Sequence, residues 1–240
     1  GESLKLTTFY IAIALAFGAW VWIEKGADLG MKYYTGFFIE KALSIDNVFV
    51  ISLIFTFFAI PSKYQYRALL WGILAVIFLR GIMIAAGAAL VNEAYWVLYI
   101  FGAFLVYTGV KMALPSKDAE VDPEHNAAVR LFRRFFPVAP ANDHGHFFTV
   151  HQGRRMATPM FIVLIVIETT DVVFALDSLP AVLAITKDSF VALTSNIFAI
   201  LGLRSLYFAL AGVMDKFHYL KLGLGVVLGF VGVKMLVAHS

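Results

Sequence analysis

Two stretches of this 240-residue chain carry side chains able to hold a hard cation or pass a proton. One contains Glu40, Lys41, Ser44, Asp46 and Asn47, and the other Glu168, Asp171, Asp177 and Ser178. All their candidate ligand atoms are oxygens, and the chain has no cysteine. Carboxylates, an amide and hydroxyls suit Mn²⁺, Mg²⁺ or Ca²⁺ better than Zn²⁺ or Cu⁺. Ligand type alone does not choose among the first three. If ionised, Glu40, Asp46, Glu168, Asp171 and Asp177 exceed the nearby cations Lys41, Arg80 and Arg204 by two charges. One divalent cation would balance that excess.

The competing reading is that these groups form buried Arg–carboxylate pairs that hold helices together. Arg80 and Arg204 fit that role well. Asp46, Asp171 and Asp177 fit it poorly, because replacing all three by apolar residues would be cheaper than burying them. Glu40 and Glu168 stand between the two readings. Lys41 reads as structural or charge-tuning. Thr194-Ser195-Asn196 reads as interhelical hydrogen bonding, Gly109 and Gly232 as close-packing positions, and His144 and His146 as surface residues of a polar loop.

Helical spacing sorts the set. Glu40 and Asn47 share a face, as do Asp171 and Ser178, and Glu168 lies one turn from Asp171. Asp177 falls about 120° from Asp171 in a regular helix. Pro180 offers a remedy: it removes the hydrogen bond to the carbonyl of Leu176. A break there would free a carbonyl oxygen and turn Asp177 inward.

The elements that position these residues are long apolar runs. Hydrophobic residues make up 61% of the chain, charged residues 15%, and mean hydropathy is +0.83. A soluble domain is nearer half apolar and one quarter charged. The net charge of +3 is no nucleic-acid footprint. Seven segments approach the roughly 20 residues needed to span a bilayer, near 7–23, 31–58, 66–90, 94–114, 158–182, 189–213 and 217–238. Continuous apolar runs argue for helices, since spanning strands alternate in polarity. Residues 7–23 lack a small-x-small site followed by a soluble domain, so they read as a spanning helix and not a signal peptide. The chain opens on Gly1 and not Met, which suggests trimming or processing.

The expected architecture is an all-α membrane protein. Residues 1–30 form an N-terminal transmembrane helix and outer loop, 31–114 a first three-helix repeat, 115–157 a basic linker, and 158–240 a second three-helix repeat. Within the linker, Asn126 to Phe136 reads as a basic amphipathic helix on the membrane surface. His146–Val150 and Arg154–Thr158 read as a hairpin around His151-Gln152-Gly153. The linker's arginines put it in the cytoplasm, with Lys63, Arg67, Lys216 and Lys221 on the same side.

The repeat is legible in three matches. Asp46-Asn47-Val48-Phe49-Val50 matches Asp171-Val172-Val173-Phe174-Ala175; Arg80 matches Arg204; Tyr107-Thr108-Gly109-Val110-Lys111-Met112 matches Phe230-Val231-Gly232-Val233-Lys234-Met235. The offsets are 125, 124 and 123 residues. Three spans per repeat is an odd number, so the second copy enters from the opposite side. Inverted repeats of this kind place a transport site near the midplane between them.

At these residues the sequence resembles the TerC/Alx family of bacterial membrane proteins, within the LysE superfamily of exporters. The resemblance is carried by Ile39-Glu40-Lys41-Ala42-Leu43-Ser44-Ile45-Asp46-Asn47-Val48-Phe49 and Asp171-Val172-Val173-Phe174-Ala175-Leu176-Asp177-Ser178-Leu179-Pro180-Ala181. Leu193 to Arg204 supports it, and the likeness runs from about residue 31 to 238. It implies manganese export across the bacterial inner membrane, with Asp46, Asn47, Asp171 and Asp177 as the ion site. It also implies a link to tellurite resistance and alkaline stress in some members. Tellurite is an anion, and an acidic cavity suits it poorly. Relatives carry further spanning segments at their ends, so this chain reads as trimmed or short.

The leading expectation is therefore a divalent cation exporter working by alternating access, with protons as the counter-ion through Glu40 or Glu168. Its partners are membrane lipid, the cation and protons, with no nucleic acid and no organic cofactor. Two alternatives stand beside it: a non-transporting scaffold or metal-delivery partner docking through the linker, and an exporter of amino acids or other small solutes. No nucleophile–base constellation, zincin motif or phosphate loop marks an enzyme.

Overall fold

A computed structural model of the chain describes residues 2–94, 96–113, 126–139, 145–151, 153–210 and 218–237. A helix occupies each of the seven apolar segments. These are α1 (Glu2–Lys25), α2 (Ala27–Phe57), α3 (Ser62–Glu93), α4 (Val97–Ala113), α6 (Pro159–Ile185), the pair α7 (Ser189–Leu201) and α8 (Leu203–Leu210), and α9 (His218–Val237). Four of them, α1, α3, α6 and the α7–α8 unit, are long and apolar enough to cross a membrane, and α4 and α9 contain shorter apolar helices. Helix α2 is long enough at 31 residues, but Glu40, Lys41 and Asp46 interrupt its apolar run.

Surface and interior are inverted relative to a soluble protein. Phe78, Phe230 and Val173 are each more than 60% exposed, while Glu40, Asn47, Arg80 and Asp171 are all under 9% exposed. Extended apolar exposure around a charged interior is the arrangement lipid demands, because a charge facing hydrocarbon costs several kcal/mol.

The helices pair in a regular pattern. Helix α2 packs on α7, and α3 on α6; α4 packs on both α6 and α9, and α2 touches α6 and α9. Exchanging α2 with α6, α3 with α7 and α4 with α9 leaves these pairings unchanged. The most extensive contact, α4 with α9, is made by glycine. A Cβ on Gly109 would lie 2.5 Å from the Gly229 nitrogen, and one on Gly232 would lie 2.7 Å from the Val106 nitrogen. The backbones touch there because no side chain intervenes.

Two expected surface elements are present. Helix α5 (Ala127–Phe135) begins at Asn126, whose side chain accepts from the backbone N–H groups of Ala128 and Val129. It does not lie free on a membrane surface. Val129 is buried among residues of α2, α3 and α6, and Phe132 packs on Phe161 with ring centroids 5.0 Å apart. Asn126 Nδ2 donates to Thr169 Oγ1 at 2.9 Å. Thr169 is ten residues into α6, so α5 runs along the first half of that helix. Strands β1 (Phe148–His151) and β2 (Arg154–Ala157) form the hairpin, in antiparallel register from Phe148↔Ala157 to His151↔Arg154. Gly153 in its turn has φ 76°, a left-handed value that glycine adopts without strain.

Helix α6 corrects one expectation. It continues through Pro180 to Ile185 with no break. One missing backbone hydrogen bond is tolerated in a helix packed on several neighbours. Among the described residues, a predicted span is interrupted elsewhere, at Gly202 between α7 and α8.

Candidate functional site

The chemistry gathers where α2, α3 and α6 meet. Arg80 comes from the middle of α3 and is 4% exposed. Its Nε donates to Asp171 Oδ2 at 2.9 Å and its Nη2 to Asp171 Oδ1 at 2.9 Å. This is the bidentate fork that a planar guanidinium makes with a carboxylate. Its Nη1 donates to Glu40 Oε1 and also reaches Ser178 Oγ at 3.4 Å. From α2, Asn47 Nδ2 donates to Asp171 Oδ1 at 3.2 Å. The helical spacing explains the convergence: Glu40 and Asn47 both face Arg80 and Asp171 from α2, and Asp171 and Ser178 do so from α6. Ser44 lies on the same side of α2 and turns its hydroxyl back to the Glu40 carbonyl at 2.7 Å.

What remains unbonded is as informative as what is bonded. Glu40 Oε2, Asn47 Oδ1 and both carboxylate oxygens of Glu168 are buried with no hydrogen-bond partner. Asn196 Oδ1, on α7, is the other such atom among the described residues. All are acceptors. A buried acceptor without a donor costs about 1–3 kcal/mol, and more when charged. Glu168 lies one turn before Asp171 on α6 and faces α3, where the absence of a side chain at Gly72 gives it room: a Cβ there would stand 3.4 Å from Glu168 Oε1. Asn47, Gly72 and Asp171 also line a narrow, mostly apolar cavity together with Leu69 and Leu203.

The other candidates lie apart. Asp177 is half-buried and accepts from Thr108 Oγ1 of α4 at 3.2 Å. That is where a regular helix puts it, and Pro180 does not turn it toward Asp171. Arg204 is not a second Arg80. Its guanidinium stacks on the Tyr66 ring at 4.0 Å, because the break at Gly202 starts a new helix just before it. Lys41 donates to the Ala199 carbonyl at 3.0 Å, at the end of α7. Among the described side chains, the charge balance at the centre is set by Glu40, Asp171 and Glu168 against Arg80. The Asp46 side chain and all of His144 lie outside the described residues; His146 is exposed. Among the described residues no group of three or more His, Asp or Glu side chains is arranged to hold a metal ion. Arg80 stands among the acids that would otherwise converge.

Two participants were not foreseen from sequence: Thr108 as the partner of Asp177, and Gly72 as the space for Glu168. Thr108 had a faint signal, a hydroxyl beside a packing glycine in an apolar run. Gly72 had none.

The family model described as "Integral membrane protein TerC family" matches residues 25–240. An uncharacterized membrane protein of Myxococcus xanthus is 50% identical over 98% of this chain and 73% of its own length. One from Rickettsia bellii is 44% identical over 99% of this chain and 78% of its own length. The Escherichia coli K12 protein Alx, named as a proposed membrane-bound redox modulator, is 49% identical over 86% of this chain and 64% of its own length. No solved structure matches the chain.

Proposed function

The chain belongs to the integral membrane protein TerC family, and from that premise we propose that it exports a divalent cation, Mn²⁺ first among them, across a bacterial inner membrane. The observation that carries this reading is the set of buried acceptors without donors around one Arg–carboxylate pair: Glu40 Oε2, Asn47 Oδ1 and both oxygens of Glu168. An apolar core has no reason to keep uncompensated oxygens, and a hard cation would satisfy them. Asp171 and Asn47 are the central ligands, Glu40 joins them, and Glu168 supplies a further buried carboxylate one turn from Asp171. Asp177 forms a separate station toward α4, and Asp46 stands next to Asn47 in sequence.

The seven helices all span in this reading, and the helices from α2 onward form two inverted repeats with the site between them. The pairings of α2 with α7 and α3 with α6, and of α4 with α6 and α2 with α9, support it, since each maps onto another when the two sets of three are exchanged. The linker with α5 and the hairpin lies on the cytoplasmic side. Alternating access then exposes the Asp171 region to each side in turn, with the break at Gly202 as a natural place for motion.

A scaffold or metal-delivery role is the second reading. Helix α5 favours it, since Arg130, Arg133 and Arg134 are exposed together with Leu131 and Phe135. Small-solute export is less well supported, because the one cation that would take a carboxylate, Arg80, is already engaged by two. A redox role of the kind named for Alx could not run through a thiol of this chain.

The deciding experiment is Mn²⁺ flux in liposomes holding only the purified chain. Flux above empty liposomes, lost in Asp171→Asn, supports export. Absence of flux from folded protein leaves the scaffold reading.

A further inference from the structure

We propose that Arg80 is a tethered counter-ion that occupies the cation's place in the cation-free state and steps aside to Glu168 when the cation loads. The inference rests on the export reading above and adds the event that loading requires.

Arg80 spends its donors on the acids a cation would use. Both oxygens of Asp171 and one of Glu40 are taken by its guanidinium. A cation cannot share that fork, because a second positive charge would sit against the first in a medium of low dielectric. Loading therefore requires the guanidinium to leave. It cannot leave for lipid, where an unpaired guanidinium is costly.

A second berth lies beside it. Glu168 has two buried oxygens with no donor. It is three residues before Asp171 on α6, about 4.5 Å along the axis at 1.5 Å per residue. It faces Gly72, two turns before Arg80 on α3. Side chains on a helix lean toward its N-terminus, so the Arg80 side chain leans toward Gly72 and Glu168. A shift of about one helical turn exchanges Asp171 for Glu168 without unpairing the charge. The vacated oxygens of Asp171 and Glu40, with Glu40 Oε2 and Asn47 Oδ1, then face a divalent cation. Two carboxylates neutralise it, and Glu168 neutralises Arg80.

The prediction is a pattern of coupling that neither a ligand role for Glu168 nor a structural role for Arg80 produces. Mn²⁺ binding is measured by calorimetry on the full chain in detergent at fixed pH. Arg80→Gln removes the competitor, so affinity rises about tenfold or more. Glu168→Gln removes the berth, so affinity falls several-fold. In the Arg80→Gln background, Glu168→Gln has no further effect, because no guanidinium remains to be housed.

Wild-type binding with no tightening in Arg80→Gln overturns the tethered counter-ion and leaves the export reading standing. Equal loss from Glu168→Gln in both backgrounds makes Glu168 a plain ligand and also overturns it. No Mn²⁺ binding by folded wild type or by any variant sinks the export reading itself. If Arg80→Gln fails to fold, Arg80→Met, which keeps an apolar stem and carries no charge, takes its place in the same cycle. Glu168→Gln breaks no hydrogen bond, and unchanged affinity in that variant alone is enough to overturn the proposal.

Discussion

Asn47 donates to Asp171 across a gap of 124 residues, at 3.2 Å. The two residues stand on α2 and α6, helices far apart in the chain that meet at this group. Arg80 completes the group from α3, so three helices converge on one carboxylate.

The Asp171 carboxylate does two jobs, and substitutions separate them. Asp171→Ala removes the forked partner of a buried guanidinium and leaves Arg80 to Glu40 alone, a loss of about 1.5–3 kcal/mol for each charge-assisted hydrogen bond. Asp171→Asn keeps the size and one acceptor oxygen for Arg80. The expected outcome is a large fall in thermal midpoint for Asp171→Ala and a smaller one for Asp171→Asn, with Mn²⁺ flux lost in both. Retained flux in a folded Asp171→Asn protein removes Asp171 from the site.

Glu168 has no hydrogen bond to lose. Glu168→Gln should leave the unfolding midpoint within a few degrees of wild type and still reduce Mn²⁺ flux at least about tenfold, a loss of roughly 1.4 kcal/mol in the rate-limiting barrier. Thermal unfolding and flux measured on one preparation test both halves. Normal flux would make Glu168 a bystander.

The α4–α9 crossing depends on backbone contact. Gly109→Leu forces the helices apart, since its Cβ alone meets the Gly229 backbone. Overpacking of this kind costs about 1–3 kcal/mol or more. Gly153→Ala in the hairpin turn meets no atom within 4 Å, so its cost is only that of the left-handed backbone, roughly 1 kcal/mol. Comparing the two midpoints checks that packing outweighs turn strain.

Asn126 joins two structures with one amide. Its oxygen caps α5 and its nitrogen reaches Thr169. Asn126→Asp keeps the cap and loses the donor to Thr169; Asn126→Ala loses both. The cap is worth about 1 kcal/mol. Protease cleavage within α5 should rise modestly in Asn126→Asp and strongly in Asn126→Ala. Equal rates in the two variants would mean that the Thr169 contact contributes all of the stability.

The sequence by itself determined the helices, because hydropathy and length depend only on local composition. It also determined which acids share a face, because a helix repeats every 3.6 residues whatever surrounds it. That rule put Asp177 away from Asp171, and the tertiary structure left it there with Thr108, continuing α6 through Pro180. The hairpin was legible for the same local reason: Gln152-Gly153 between two short runs is turn chemistry.

Only the tertiary structure decided which charges pair. Arg80 and Arg204 hold matching places in the repeat, yet one lies among Glu40 and Asp171 and the other on the ring of Tyr66. Arg204 follows directly on the break at Gly202, which the alignment of motifs does not register. Likewise, Gly72 is one small residue among many until α6 places Glu168 against it. A pairing between distant helices depends on how the whole bundle packs, and spacing along one helix carries no information about that.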